Sequence, residues 1–185
     1  SKIKSDSNNK SIIGLNLNLN ESTLDVAIRL ESKLTKVNSN NLHSDEMVGA
    51  ISALSEDTII YSGYGGVIVK PSVLNLGKNF LHIHGGYLPD YKGSTTNYYS
   101  FLEVNKCGAS AIFLEPEIDC GPVLKRKWFK APDNLEDLDY FYDSALRADV
   151  LLDVIKEYNT TGEWNFELKD NKGGETFYII HPFLK

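Results

Sequence analysis

The stretch His82-Ile83-His84-Gly85-Gly86-Tyr87-Leu88-Pro89-Asp90-Tyr91-Lys92-Gly93 decides how this chain is read. Phe80 to His84 has the length and apolar content of a buried strand, and it breaks abruptly into glycines, a Leu-Pro step and a polar turn. Residues two apart on a strand share a face, so the imidazoles of His82 and His84 lie side by side. Two neighbouring segments end in comparable loops. Thr58 to Ser62 is a short β-branched strand running into Gly63-Tyr64-Gly65-Gly66. Ala109 to Leu114 is another, running into Glu115-Pro116-Glu117-Ile118-Asp119-Cys120-Gly121. In open α/β sheets ligands sit beyond the carboxyl ends of the strands, so these three loops form the candidate site.

Further strands are predicted over Ser11–Asn20, where Leu15, Leu17 and Leu19 alternate with Asn16, Asn18 and Asn20, and over Val123–Phe129. Helices are predicted from Thr23 to Thr35 behind Ser22, from Asp45 to Leu54, and from about Asn97. The longest opens at Asp133 and carries the apolar stripe Leu138, Phe141, Ala145, Ala148, Leu152, Ile155. Strands alternating with helices point to an α/β fold. Ser1–Lys10 is polar and reads as a flexible segment. Residues 11–185 read as one domain.

The 185 residues are 42% hydrophobic and 24% charged, an ordinary globular composition. A net charge of −6 excludes nucleic-acid binding driven by bulk charge. No apolar run approaches the length of a membrane span, and Ser1–Lys10 lacks the apolar region of a secretory leader. Cys107 and Cys120 are too few for a disulfide framework, and reduced thiols in the cytoplasm are the default.

Two same-face histidines plus a carboxylate suit three arrangements. His82, His84 and Asp119 are a plausible metal-ligand set. They also suit acid–base work, with Asp119 orienting one imidazole and holding it charged. The third is a pair of hydrogen-bonded structural histidines. Leu88-Pro89 is open to either cis or trans geometry. The helix start after Gly93, with Lys92 beside it, suits either an anion or ordinary capping. Cys120 reads as a packing residue, Lys125, Arg126, Lys127 and Lys130 as a solvated face, and His43 and His181 as structural.

Taken whole, HIHGGYLPDYKG followed by Ile118-Asp119-Cys120-Gly121 resembles the formyltransferase family, which includes the glycinamide-ribonucleotide, methionyl-tRNA and sugar-nucleotide N-formyltransferases. Its members carry N-x-H-x-S-L-L-P-x-x-x-G and a downstream D-x-G. Here His84, Leu88, Pro89, Gly93, Asp119 and Gly121 match, with support from Ser62-Gly63-Tyr64-Gly65 and from Phe177 to Pro182. The resemblance runs from about Asn41 to Lys185. It implies a Rossmann-like, mostly parallel sheet flanked by helices, and formyl transfer from 10-formyltetrahydrofolate to the primary amine of a small molecule, most plausibly an amino sugar on a nucleotide.

The resemblance assigns His84, Asp119 and His82 to catalysis with no resident metal. It puts Tyr64, Gly65, Gly66, Val67 and Val69 on one wall of the folate site and Glu115, Glu117 and Ile118 on the other. Lys92, Asn97 and Tyr98 face the amine. Neither nucleic acid nor membrane is an expected partner, and a homo-oligomer is compatible. A methionyl-tRNA acceptor fits less well, because those enzymes add a basic C-terminal domain.

His82 stands where the family has Asn, Gly86 where it has Ser, and Tyr87 where it has Leu. A working transferase, a 10-formyltetrahydrofolate hydrolase and a degenerate folate-binding module all accommodate the histidine. A metal-dependent hydrolase using the H-x-H pair is a further alternative. Against the family pattern, Ser11–Asn20 and Thr23–Thr35 take the place of a second strand–helix unit, so the chain is expected to lack the first.

Overall fold

The computed structural model describes residues 9–12, 14–18, 21–63 and 66–185. In chain order its elements are β1 (Asn9–Ile12), β2 (Leu15–Asn18), α1 (Thr23–Arg29), α2 (Asp45–Ser52), β3 (Thr58–Tyr61), α3 (Pro71–Leu74), β4 (Asn79–His84), β5 (Tyr91–Gly93), α4 (Thr96–Val104), β6 (Lys106–Phe113) and β7 (Val123–Lys130). A π-helical turn (Leu138–Tyr142) then leads into α5 (Asp143–Thr161), followed by β8 (Glu175–Phe177) and a closing 3-10 turn (Pro182–Leu184).

The main sheet has the order β3-β4-β6-β7. β3 and β4 pair in parallel, with Tyr61 opposite His82. β6 and β7 extend the sheet antiparallel, with Ser110 opposite His84. The sheet is therefore mixed, and its parallel half carries the histidines. Helices cover both faces, as the α/β, Rossmann-like class requires. On one face Leu81, Ile83, Ala109 and Ala111 pack against Leu146, Val150 and Val154 of α5 and Tyr98 of α4. On the other Val69, Val73 and Phe80 pack with Leu114 and with Val48 and Ile51 of α2. Strand alternation puts His82 and His84 on this second face with Phe80.

The tail fixes the loop after β4. β8 returns parallel to β5, pairing Tyr91 with Glu175 and Gly93 with Phe177. Gly93 has φ +96, and a Cβ there would lie 2.1 Å from the Phe177 carbonyl oxygen. Only glycine fits that backbone contact.

Three sequence expectations change. Ser11–Asn20 is not one strand of the sheet: β1 and β2 fold on each other as an antiparallel hairpin around Gly14, whose φ of +78 makes the turn. Asn9 and Lys10 belong to that hairpin; the rest of the segment expected to be flexible, and residues 19 and 20, lie outside the described residues. The helix expected to reach Thr35 stops at Arg29, because Glu31 turns to φ +52. Ser22 does cap it, accepting from the Asp25 N–H while the Asp25 carboxylate accepts from the Ser22 N–H. Leu24, Ile28, Leu30 and Leu34 are exposed.

The long helix also starts later and in a different phase. Asn134 accepts from the Glu136 N–H, and Asp133 pairs with Lys130 instead of capping. The π turn then adds a residue to the helical repeat, so the inward set becomes Ala145, Leu146, Val150 and Val154. Leu152, on the predicted stripe, is 42% exposed, whereas Leu146 is fully buried. Leu146→Ala is therefore expected to cost about 3 kcal/mol in urea unfolding. Leu152→Ala is expected to stay below about 1 kcal/mol, the reverse of an uninterrupted repeat from Asp133.

Candidate active site

The site forms where β4 leaves the sheet. Ser110 donates to the Gly86 carbonyl at 2.7 Å and accepts from the Leu88 N–H at 3.0 Å, so one hydroxyl pins both sides of the turn. The Thr96 hydroxyl donates to the Gly85 carbonyl. The Leu88-Pro89 peptide is cis. The chain then doubles back, and the Tyr91 carbonyl comes within 2.8 Å of His84 Nε2.

Asp119 arrives from the loop after β6, in a left-handed backbone conformation with φ +53. Its Oδ1 lies 3.4 Å from His84 Nδ1, and its Oδ2 accepts from the Gly93 N–H at 2.8 Å. Asn171, from the tail, donates to the carbonyls of Asp119 at 2.7 Å and Gly121 at 2.9 Å. Three separate parts of the chain thus fix one carboxylate against one imidazole.

These contacts define the proton positions. A carbonyl oxygen only accepts, so His84 Nε2 carries hydrogen and donates to Tyr91. The Nδ1 atom faces a carboxylate, so a second proton on the ring also finds a partner. Burial pushes the His84 pKa below the ordinary 6.5, opposed by the Asp119 charge and the Tyr91 carbonyl. His82 Nδ1 donates to the Tyr61 carbonyl at 3.2 Å, which leaves Nε2 with its lone pair when the ring is neutral. Burial lowers the His82 pKa as well, opposed by the Tyr61 carbonyl and assisted by charge on His84 and Arg147.

The remaining residues expected in the site divide into two groups. Val69 is buried in one apolar cluster with Leu114, so the loops at 66–69 and 114–118 meet on the histidine face. Gly66, Val67, Glu115, Glu117 and Ile118 are exposed along them. Tyr64 and Gly65 lie outside the described residues. Lys92, Asn97 and Tyr98, expected to face an amine, are buried and hold internal partners. Lys92 donates to the Asn171 carbonyl at 3.0 Å and to Cys120 Sγ at 3.1 Å. Asn97 bridges Gly108 and Asp143. The Tyr98 phenol is pushed up to about 12 by burial and by its bond to Asp139. Among the described residues no group of three His, Cys, Asp or Glu side chains converges as a metal site.

Of the basic cluster of β7, Lys130 is exposed and Lys125 and Lys127 are partly so, but Arg126 does not face solvent. Arg126 is buried, ion-paired with Glu167 at 2.7 Å and donating to the carbonyls of Lys169 and Asp170. Sequence reasoning missed Asn171, Ser110 and the Asp143–Arg147 pair. Nothing local marks Asn171 and Ser110, because each acts on a partner distant in the chain, whereas Asp143 and Arg147 stand at i, i+4, a helical spacing that was there to be read. Of the two histidines outside the site, His43 contacts the Ile68 carbonyl, and His181 accepts from the Phe183 N–H.

A family model described as formyl transferase matches residues 7–146. Methionyl-tRNA formyltransferase from Finegoldia magna is 28% identical over 147 residues, covering 77% of this chain and 47% of that protein. The enzyme of the same name from Wolbachia pipientis subsp. Culex pipiens is 33% identical over 107 residues, covering 55% of this chain and 34% of its own length. The chain thus spans less than half of either relative. Among solved structures, the formyltransferase PseJ from Anoxybacillus kamchatkensis, in complex with UDP-4,6-dideoxy-4-formamido-L-AltNAc and tetrahydrofolate, superposes with a TM-score of 0.61 at 19% identity. It covers 84% of this chain and 79% of that one. HypX from Aquifex aeolicus in complex with tetrahydrofolic acid gives 0.57 at 16% identity, covering 74% and 24%. These structures share the fold. The family match takes in the histidine turn, the Asp119 loop and the start of α5, and the chain belongs to the formyl transferase family.

Proposed function

We propose that this chain transfers a formyl group from 10-formyltetrahydrofolate to a primary amine, an amino sugar on a nucleotide being the favoured acceptor. The observation that carries the reading is the buried His84–Asp119 pair at the end of β4, held by Gly93 and Asn171. The tetrahydrofolate in the PseJ and HypX structures supports the donor, and the formamido sugar nucleotide in PseJ supports the acceptor. The methionyl-tRNA formyltransferases among the relatives favour a second acceptor, an aminoacyl-tRNA. The exposed apolar side chains of Val67 and Ile118, on loops that meet at Val69 and Leu114, suit the two sides of a flat ring. Both cysteines are free, in keeping with a cytoplasmic setting.

The donor, when bound, supplies the formyl carbon and takes a proton at its leaving nitrogen. The chain's residues then have distinct tasks. His82, neutral and tied to Tyr61 through Nδ1, offers the Nε2 lone pair to the proton that the attacking amine sheds, and returns that proton to the leaving nitrogen. His84, protonated before the attack with its second proton held against Asp119, sets a positive charge beside the formyl oxygen as that oxygen becomes negative. Asp119 fixes the ring and offsets its charge.

The direct test is incubation with 10-formyltetrahydrofolate and a panel of amines, 3-amino and 4-amino sugar nucleotides and methionyl-tRNA among them, following tetrahydrofolate release. Release with one amine only supports transfer. Release without any amine identifies a hydrolase, and no release under any condition contradicts catalysis. Asp119→Asn is expected to lower kcat about 100-fold or more while leaving the donor KM nearly unchanged. His82→Asn is expected to lower kcat and to remove the acid limb of the pH–rate profile. A rise in activity would instead mark His82 as a lesion.

The two histidines also make folding stability pH-dependent. Both folded values lie below 6.5, so the unfolded chain binds more protons as pH falls through that value. The stability associated with the neutral rings is complete above 6.5 and is lost on acidification toward the folded values. Melting temperature is therefore expected to fall between pH 7.5 and 5.5, less steeply in His82→Asn.

A further inference from the structure

Gly85 follows His84, and a side chain there would displace the ends of two side chains of α5. A Cβ would lie 2.5 Å from Asp143 Oδ1 and 2.7 Å from Arg147 Nη2, both on the first turns of α5. The Arg147 head is fixed by a relay of bonds across the fold. The Gly108 N–H of β6 donates to Asn97 Oδ1 at 2.7 Å, Asn97 Nδ2 donates to Asp143 Oδ1 at 2.8 Å, and Asp143 Oδ2 holds Arg147 Nη2 at 2.6 Å. A carboxylate–guanidinium pair one helical turn apart adds little stability on a helix surface, and it does not need a buried amide to aim it.

The partners in this relay are unequally satisfied. Both oxygens of Asp143 are engaged. Arg147 offers five N–H donors, and its Nε is shielded with no hydrogen-bond partner. Its side chain is nevertheless 42% exposed. It stands at the carboxyl end of β4, where ligands of such sheets bind, and its charge is felt at both His82 and His84. A planar fork held in one orientation, with donors left over, is built for an oxyanion with several acceptor atoms.

Resting on the formyl-transfer reading, we propose that Arg147 anchors a phosphate group of the amine acceptor, with Asp143 and Asn97 as its positioning residues. The acceptor is then a phosphate ester whose amine is delivered to the histidines by its own anion. This gives Asn97 a part in acceptor binding from inside the fold, through Asp143, without facing the amine.

The test is calorimetric titration of the whole chain with inorganic pyrophosphate at low ionic strength. The wild type is compared with Arg147→Gln, Arg147→Lys and a control on the exposed side of the same helix, Lys156→Gln. Saturable binding is expected, weakened about tenfold in Arg147→Gln, partly retained in Arg147→Lys and unchanged in the control. Unchanged melting temperatures for the Arg147 variants show that a loss of binding is not a loss of fold. Equal affinity in wild type and Arg147→Gln, or no binding to the wild type, overturns the proposal.

Titration with UDP and with a short RNA ending in CCA separates the sources, each supporting a phosphate anchor if it depends on Arg147. In turnover, a rise in acceptor KM with donor KM unchanged supports the assignment; a rise in donor KM alone overturns it. If no amine releases tetrahydrofolate while Arg147-dependent pyrophosphate binding persists, the formyl-transfer reading fails and the anion site stands.

Discussion

The contact on which the rest of the structure turns is Asp119 against His84. It joins the end of β4 to a loop that follows β6, and neither group is placed by its own element alone. Asp119 sits at φ +53, a conformation unfavourable for a side chain larger than glycine. The Gly93 N–H and the Asn171 amide hold it there. Gly93 in turn depends on the tail, because β8 seals β5 through a backbone contact that tolerates no Cβ. A proton site at one end of the sheet is thus maintained by residues from four stretches of the chain.

How much of this the sequence discloses follows from how local each signal is. β3, β4, β6 and β7 were legible because short β-branched and aromatic runs bounded by glycine and proline are local features. The same-face placement of His82 and His84 followed from strand alternation, and the Asp119 pairing from the family resemblance. The hairpin at Asn9–Asn18 was hidden by its own regularity: alternation is identical in one strand and in two, and only the φ of Gly14 separates them. The phase of α5 was lost at a π turn, which has no compositional mark. Arg126 was misread because a charged residue inside a strand usually faces water, and its carboxylate, Glu167, lies far downstream. Lys92 was misread for the same reason, since its partners belong to the tail and to the Asp119 loop.

The last two misreadings share a physical pattern with the site itself: a polar side chain is buried with its N–H groups turned toward acceptors. Lys92 meets a carbonyl and a thiol, Arg126 a carboxylate and two carbonyls, and His84 a carbonyl and a carboxylate. Buried donors of this kind need their partners, because an unpaired polar group in the interior costs a large share of a marginal stability. The tail from Glu167 to Phe177 supplies most of those acceptors. It carries little secondary structure of its own, and its contribution is to satisfy donors that the sheet and its loops leave open.

The replacement of the family asparagine by His82 bears on the same accounting. An amide at that position would present a donor and an acceptor together and would never titrate. The imidazole commits its one neutral-state N–H to Tyr61, so toward the reacting atoms it shows a lone pair alone. Under the proposed formyl transfer the two histidines divide the chemistry by environment: His82, without a carboxylate in contact, serves as the neutral base, while His84 has Asp119 against it and is the ring that carries charge. On that reading, identical side chains two residues apart on one strand acquire opposite tasks because Asp119 lies against only one of them.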